Sequence, residues 1–433
     1  MSLESLLLAV QSSPPYWVVL VFFAAYPIVT SIMWIITALL FRMRWENATP
    51  PPPPDAAAGA HGAGGREAGE RPFVTLLVPA HNEEAVIARS VRAMLALDYP
   101  RFEVLVIDDG SRDGTVAALA PLLADRRLRL VSKNVNEGKA MALNDALPLA
   151  RGEILLALDA DAEPEAQLLN WIVPHFDSPR VAAVTGNPRV LNTKNFLARL
   201  QSVEFSSIIS LLRRAQRIWG RIVTVSGVVA ALRKSAVADV GGFSPNMPTE
   251  DIELTWKLQK RHYDVRYEPR AICWMTVPQS YRGHFHQRLR WARGLAQVLH
   301  KHRDVLTTWN CRRLWPVFVE SALSILWSLC FVFLTTLWTV SYLAGVPPIG
   351  ASPIPNLWGM SIATLCIAQL TTGVLIDRRY DPQVLRYLPY AVWYPIVYWA
   401  LLALTTVIAM PYLFKRPKAQ PVRWQTARTG KTA

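Results

Sequence analysis

Residues 103–111 read Glu-Val-Leu-Val-Ile-Asp-Asp-Gly-Ser. Val104 to Ile107 suit a buried strand, and the chain then stops in two carboxylates, a glycine and a hydroxyl. Similar runs lie on either side. Phe73–Val78 reads as a strand ending at Pro79, Leu128–Val131 as a third strand, and Ile154–Leu158 as a strand ending in Asp159. Val86–Leu97, Thr115–Leu123 and Met141–Ala150 carry helical patterns between them. This alternation predicts an α/β domain with a mainly parallel sheet. Ligands bind such sheets beyond the C-terminal strand ends, where these polar residues fall.

Of 433 residues, 52% are hydrophobic and 16 are tryptophan, a balance that favours an integral membrane protein over a soluble enzyme. Residues 16–41 are long and apolar enough to span a bilayer. No basic segment precedes them, so they read as an uncleaved anchor. Arg42 and Arg44, which follow, place the N-terminus outside. Residues 46–71 hold Pro50 to Pro54, then Ala, Gly and scattered charge, as in a disordered linker. Residues 315–343, 356–376 and 386–414 are apolar again, Asp377–Asp381 forms a basic connector, and the tail after Phe414 is basic. Three crossings after a cytoplasmic domain would leave that tail outside, against the positive-inside rule. Either the last stretch, broken by Pro389 and Pro395, is a hairpin or partly interfacial, or one basic segment breaks the rule.

The expected layout is an anchor over 1–45, a linker over 46–71, an α/β domain over 72–278, an amphipathic interface segment over 279–313, a transmembrane region over 314–414 and a tail over 415–433. The net charge of +14 fits Lys and Arg held at an anionic lipid surface, and no nucleic-acid-binding pattern accompanies it. Cys273, Cys311, Cys330 and Cys366 lack C-x-x-C spacing and imply neither metal site nor disulfide framework.

Several motifs carry chemistry, each beside a plainer reading. The carboxylates of Asp108-Asp109-Gly110-Ser111 suit a nucleotide base or ribose; an Asx turn explains them equally. A calcium loop beginning at Asp109 fails at Ala120, where a bidentate Glu is required. Asp159-Ala160-Asp161 could hold Mg²⁺ or Mn²⁺ shared with phosphates, or be a solvated acidic turn. Thr249-Glu250-Asp251 opens the run Ile252–Lys260, with Thr249 as helix cap and a carboxylate able to serve as a base. Lys139 could neutralise phosphate, although the P-loop pattern is absent. Gln287-Arg288-Leu289-Arg290-Trp291 sets two guanidinium groups, which grip phosphate as planar forks, near an indole that suits a sugar face. Residues 291, 295, 298 and 299 have helical spacing, as in an amphipathic helix at a membrane face.

Asp-Asp-Gly-Ser, Asp-x-Asp, Thr-Glu-Asp and Gln-x-x-Arg-Trp occur in that order ahead of apolar spans. In this the chain resembles processive family 2 glycosyltransferases, the group of cellulose, chitin and hyaluronan synthases. Val184–Arg189, Glu204–Ile209, Gln216–Gly220, Thr224–Gly227 and Thr249–Leu258 look like bacterial poly-β-1,6-N-acetyl-D-glucosamine synthases. The resemblance is close over residues 72–310; Ala160 departs from the glycine expected there, and the linker looks like an insertion.

The resemblance implies a GT-A-type domain inserted between transmembrane helices of the bacterial inner membrane, facing the cytoplasm. It implies UDP-N-acetylglucosamine as donor, Mg²⁺ or Mn²⁺ as cofactor, and an inverting displacement onto a growing polysaccharide. His81 and Asp109 would hold the uridine and Lys139 the phosphates. Asp159 would contact the nucleotide and, with Asp161, the metal. Asp251 would be the base, Arg290 would grip the pyrophosphate, Gln287 would position the acceptor and Trp291 would stack on its terminal sugar. A small two-helix membrane subunit and cyclic di-GMP are implied partners. Glu320, Ser324 and Ser328, like Tyr390, Tyr394 and Tyr398, recur every fourth residue, which suits a saccharide channel or, equally, helix packing and an aromatic belt. The rival readings are another polysaccharide synthase and a non-catalytic transport or nucleotide-sensing subunit.

Overall fold

The computed structural model describes residues 2–46, 71–349, 357–415 and 420–423. The linker expected over 46–71 and most of the tail expected over 415–433 lie outside the described residues. One eight-stranded sheet organises the middle of the chain. β1 (Val74–Ala80), β2 (Phe102–Asp108), β3 (Leu128–Ser132) and β4 (Ile154–Leu158) are the strands read from the sequence. β5 (Glu163–Pro164), β6 (Val181–Val190), β7 (Val229–Arg233) and β8 (Asp264–Met275) complete the order β3-β2-β1-β4-β7-β6-β8-β5. The first four strands are parallel. β7 then runs antiparallel to both β4 and β6, and β5 antiparallel to β8, so the sheet is more mixed than expected.

Apolar cores cover both faces. Leu76, Val78, Val104 and Leu156 enter one; Leu77, Leu105, Leu143 and Leu155 enter the other. Burial on both sides explains why β1, β2 and β4 read as unbroken apolar runs and not as alternating ones. β1 lies between β2 and β4, so the chain switches direction across it, and the carboxyl ends of these strands open a crevice.

Among the described residues, three helical stretches are long and apolar enough to cross a membrane: Pro14–Glu46, Trp309–Leu343 and Trp358–Asp377. The last apolar stretch departs from a span. It is a string of short pieces, Val384–Tyr387, Leu388–Trp393, Tyr394–Tyr398, Trp399–Ala409 and Met410–Leu413, because Pro389 and Pro395 interrupt the backbone ladder. It packs Ala391, Tyr394 and Tyr398 on Leu200 and Val203 of the Phe196–Glu204 helix. Farther on, Val422 donates its amide to Pro245 O at 2.8 Å.

One expectation needs correction. The helix Tyr281–Lys301 does not lay its apolar side on lipid: Val298 and Leu299 pack with Trp256, Leu314 and Val317. The tyrosine repeat serves packing, since Tyr390 OH accepts from Arg199 Nη1 at 2.8 Å and Tyr398 OH from Arg288 Nη2 at 3.0 Å. In the other repeat, Ser328 Oγ donates to Ser324 O within its own helix.

The basic connector Asp377–Asp381 is an anchored joint. Asp377 is fully buried and pairs with Arg189 of β6 and with Arg214 Nη2, the latter at 2.8 Å. Glu46 meets Arg214 Nε at 2.5 Å, and Tyr380 donates its hydroxyl to Glu46 Oε2 at 3.0 Å. Two carboxylates at the ends of two apolar helices thus hold two arginines of the sheet domain.

Candidate active site

The site gathers at the carboxyl ends of β1, β2 and β4. The Lys139–Leu149 helix starts immediately after Gly138, whose φ of 95° lies in the left-handed region that glycine tolerates. That turn aims Lys139 inward. Its Nζ donates to Asp159 Oδ1 at 2.7 Å and to Gly227 O at 3.1 Å, and lies 3.2 Å from Glu250 Oε1. Burial opposes the ammonium charge, but Asp159 and Glu250 outweigh it and raise the Lys139 pKa.

Glu250 and Asp251 open the helix Glu250–Lys260. Thr249 stands at its N-cap position, yet its hydroxyl makes no capping bond, contrary to the expected cap. Asp251 Oδ2 accepts the Gly227 amide at 3.0 Å, and Oδ1 accepts the Ile252 amide at 2.9 Å. Burial and then the Glu250 charge push its carboxyl up to about 6, against the pull of Lys139 and Arg290. A carboxylate in that range is suited to take a proton near neutral pH. A Cβ at Gly227 would sit 3.0 Å from Asp251 Oδ2 and 3.2 Å from Lys139 Nζ, so glycine keeps the space between carboxylate and cation open.

A pH dependence follows. A carboxyl raised to about 6 is protonated, and useless as a base, below that pH. The kcat/KM for transfer is expected to fall about tenfold per pH unit as pH drops below that value. A flat profile between pH 5 and about 7 would contradict a base with a raised pKa.

Asp161 is buried and accepts from Thr276 Oγ1, just past β8, while Asp159 remains partly exposed. Asp109 is fully buried; it accepts the Gly138 amide at 2.7 Å and the Glu137 amide at 3.1 Å. Its side chain therefore shapes the 136–139 turn. His81 Nδ1 lies 2.9 Å from Asp109 O, and its Nε2 lies 3.1 Å from Asn136 Nδ2, which ties β1, β2 and that turn together.

The two guanidinium groups of Gln287–Trp291 do not work side by side. Arg290 is exposed and donates to Pro248 O at 3.1 Å, next to Asp251. Arg288 turns the other way, to Glu204 Oε2 at 2.7 Å, and lies 4.2 Å from the centroid of the Trp291 ring. Trp291 stays partly exposed. Gln287 Oε1 has no hydrogen-bond partner among the described residues.

The site also uses Gly227, Glu250, Asn136 and Thr276, to which the sequence reading assigns no role. Glu250 and Gly227 fall inside motifs quoted above; nothing in the sequence singles out Thr276. Among the described residues no three His, Cys, Asp or Glu side chains cluster as a ready metal cage. Asp159 and Asp161 instead suit a hard cation that completes its sphere with diphosphate oxygens and water.

This sheet order, with carboxylates beyond β4 and at a helix N-terminus, defines a GT-A-like sugar transferase. Residues 71–294 match the family described as "Glycosyltransferase like family 2", and the chain belongs to that family and is a glycosyltransferase. It is 32% identical to the poly-β-1,6-N-acetyl-D-glucosamine synthase of Staphylococcus epidermidis, over 94% of this chain and 98% of that one. It is also 32% identical to the synthase of the same name from Staphylococcus aureus, over 95% and 98%. A mannosyltransferase from Pyrobaculum calidifontis, solved with GDP-Man and Mn²⁺, superposes with a TM-score of 0.64 at 24% identity. That match spans 92% of this chain and 98% of the mannosyltransferase, and speaks for the fold.

Proposed function

We propose that this chain is a processive, inverting transferase that adds N-acetylglucosamine from UDP-N-acetylglucosamine, in β-1,6 linkage, to a growing polysaccharide. One observation carries the mechanism: Asp159 and Asp251 flank Lys139 within one small volume, a nucleotide-side carboxylate opposite a base. The names of the curated relatives support the sugar and the linkage.

The turn organised by His81 and Asp109 would receive the uridine, and Lys139 and Arg290 would bind the diphosphate. Mg²⁺ or Mn²⁺ held by Asp159 and Asp161 would neutralise charge on the departing diphosphate. Asp251 takes the proton of the acceptor hydroxyl as that oxygen attacks the anomeric carbon. A new glycosidic bond forms on one face while the bond to UDP breaks on the other, which inverts the configuration. UDP departs as an anion, so one carboxylate suffices where glycoside hydrolases need two. Gln287 and Trp291 would set the acceptor end. We place the transferase domain on the cytoplasmic side of a bacterial inner membrane, with Arg42 and Arg44, and the membrane helices ready to receive the product.

The test is the full chain purified in detergent, given labelled UDP-N-acetylglucosamine and Mg²⁺, with linkage analysis of the product. A β-1,6 polymer is expected. A β-1,4 product would make it a different synthase, and no metal-dependent incorporation from any UDP-sugar would overturn the proposed donor. Within this assay Trp291→Ala should cost about tenfold in transfer to acceptor, the worth of one aromatic contact, and leave UDP-sugar binding near wild type. Equal loss of both would make Trp291 a packing residue only.

A further inference from the structure

Arg288 is 3% exposed, and three elements converge on it. Its Nη2 donates to Glu204 Oε2 at 2.7 Å, at the end of the Phe196–Glu204 helix, and to Tyr398 OH at 3.0 Å, in the helical segment Tyr394–Tyr398. The Tyr398 hydroxyl also donates to the same Glu204 oxygen. Tyr398 is held in turn by Tyr394, whose ring stacks on it with centroids 4.7 Å apart. One helical turn before Arg288, His284 Nδ1 lies 3.1 Å from Gln201 Oε1. Burial and the neighbouring Arg288 charge hold His284 at about 3, so it is neutral and Glu204 meets a single cation. That cation lies over the ring of Trp291.

A buried ion pair of this kind adds little net stability, because desolvating both partners offsets most of their attraction. What it fixes is geometry. Glu204 and Tyr398 add directed hydrogen bonds to the cation–π contact and keep the guanidinium turned inward on the indole, whereas Arg290 is exposed. We propose that Glu204 and Tyr398 are positioning residues for the acceptor subsite. They seat Arg288 on the Trp291 ring, which sets the part of the indole left open to the terminal sugar, and they link that setting to the segment Tyr394–Tyr398. The inference rests on the reading of Trp291 as the acceptor platform.

The test uses the full chain in the incorporation assay, with an N-acetylglucosamine oligosaccharide as added acceptor. Tyr398→Phe and Glu204→Gln should raise the acceptor KM about tenfold, the worth of one buried hydrogen bond, and shorten the product, while UDP displacement stays at the wild-type value. A Glu204→Leu, Arg288→Met double variant removes both buried charges and keeps the volume, so it should fold even if a single variant does not. It should still show the raised acceptor KM, because no cation lies on the indole. A double variant and a Tyr398→Phe variant with wild-type acceptor KM and product length would overturn the proposal. So would a donor affinity that falls in step with acceptor affinity. A wild-type protein that incorporates no sugar would instead count against the transferase function itself.

Discussion

Asp251→Asn should lower kcat by about 10²–10⁴-fold, the usual contribution of a positioned general base. Asparagine keeps the shape of the side chain and can still accept one of the Gly227 and Ile252 amides, which the two oxygens of Asp251 hold at 3.0 and 2.9 Å. It cannot take a proton from the acceptor. UDP displacement should be unchanged or slightly tighter, because removing one carboxylate relieves repulsion with Glu250 and, on arrival, with the diphosphate. Single-turnover incorporation with saturating donor is the measurement to make. Appreciable polymer synthesis by this variant would move the base to another group, and Glu250, beside the same ammonium, would be the next to examine.

Asp377→Asn should have the largest effect on folding. Asp377 is fully buried; it accepts from Arg189 and is ion-paired with Arg214 Nη2 at 2.8 Å, and both arginines are 1% exposed. Removing one partner of a buried ion pair costs about 3–5 kcal/mol, since the remaining charges cannot return to water. Glu46 still reaches Arg214 at 2.5 Å, but Arg189 would keep only neutral partners, such as the hydroxyl of Ser206 at 2.6 Å. The expected result is a markedly lower unfolding temperature in detergent, or loss of monodisperse protein. A companion variant, Asp377→Leu with Arg189→Met, should recover part of that loss by withdrawing one charge of each sign. An unfolding temperature equal to wild type for Asp377→Asn would show that the joint is solvated and carries no load.

How far the sequence alone reaches depends on the range of the interaction. β1 to β4 are legible because each is a short apolar run bounded by polar turns, and both faces are buried. β6 escapes notice because Gly186, Pro188 and Arg189 interrupt its pattern. Only the fold reveals why they are tolerated: a Cβ at Gly186 would lie 2.7 Å from Ala271 O, and Arg189 finds Asp377 far along the chain. The acids at 159, 161 and 251 stand out through their motifs. The link from Lys139 to Glu250 has no local signature, and neither does the inward turn of Arg288. From sequence, Arg288 and Arg290 look alike; their surroundings make one a structural cation and leave the other open to a ligand.

The bond from the Val422 amide to Pro245 O has a consequence for topology. A tail that touches the sheet domain shares its compartment, so the number of bilayer crossings between them has to be even. Trp309–Leu343 and Trp358–Asp377, the two helices between them long and apolar enough to cross, would satisfy that count. With those two as the crossings, parity would return Lys415 and Arg423 to the side of the transferase domain, and the basic segments at both ends of the chain would obey a single charge rule.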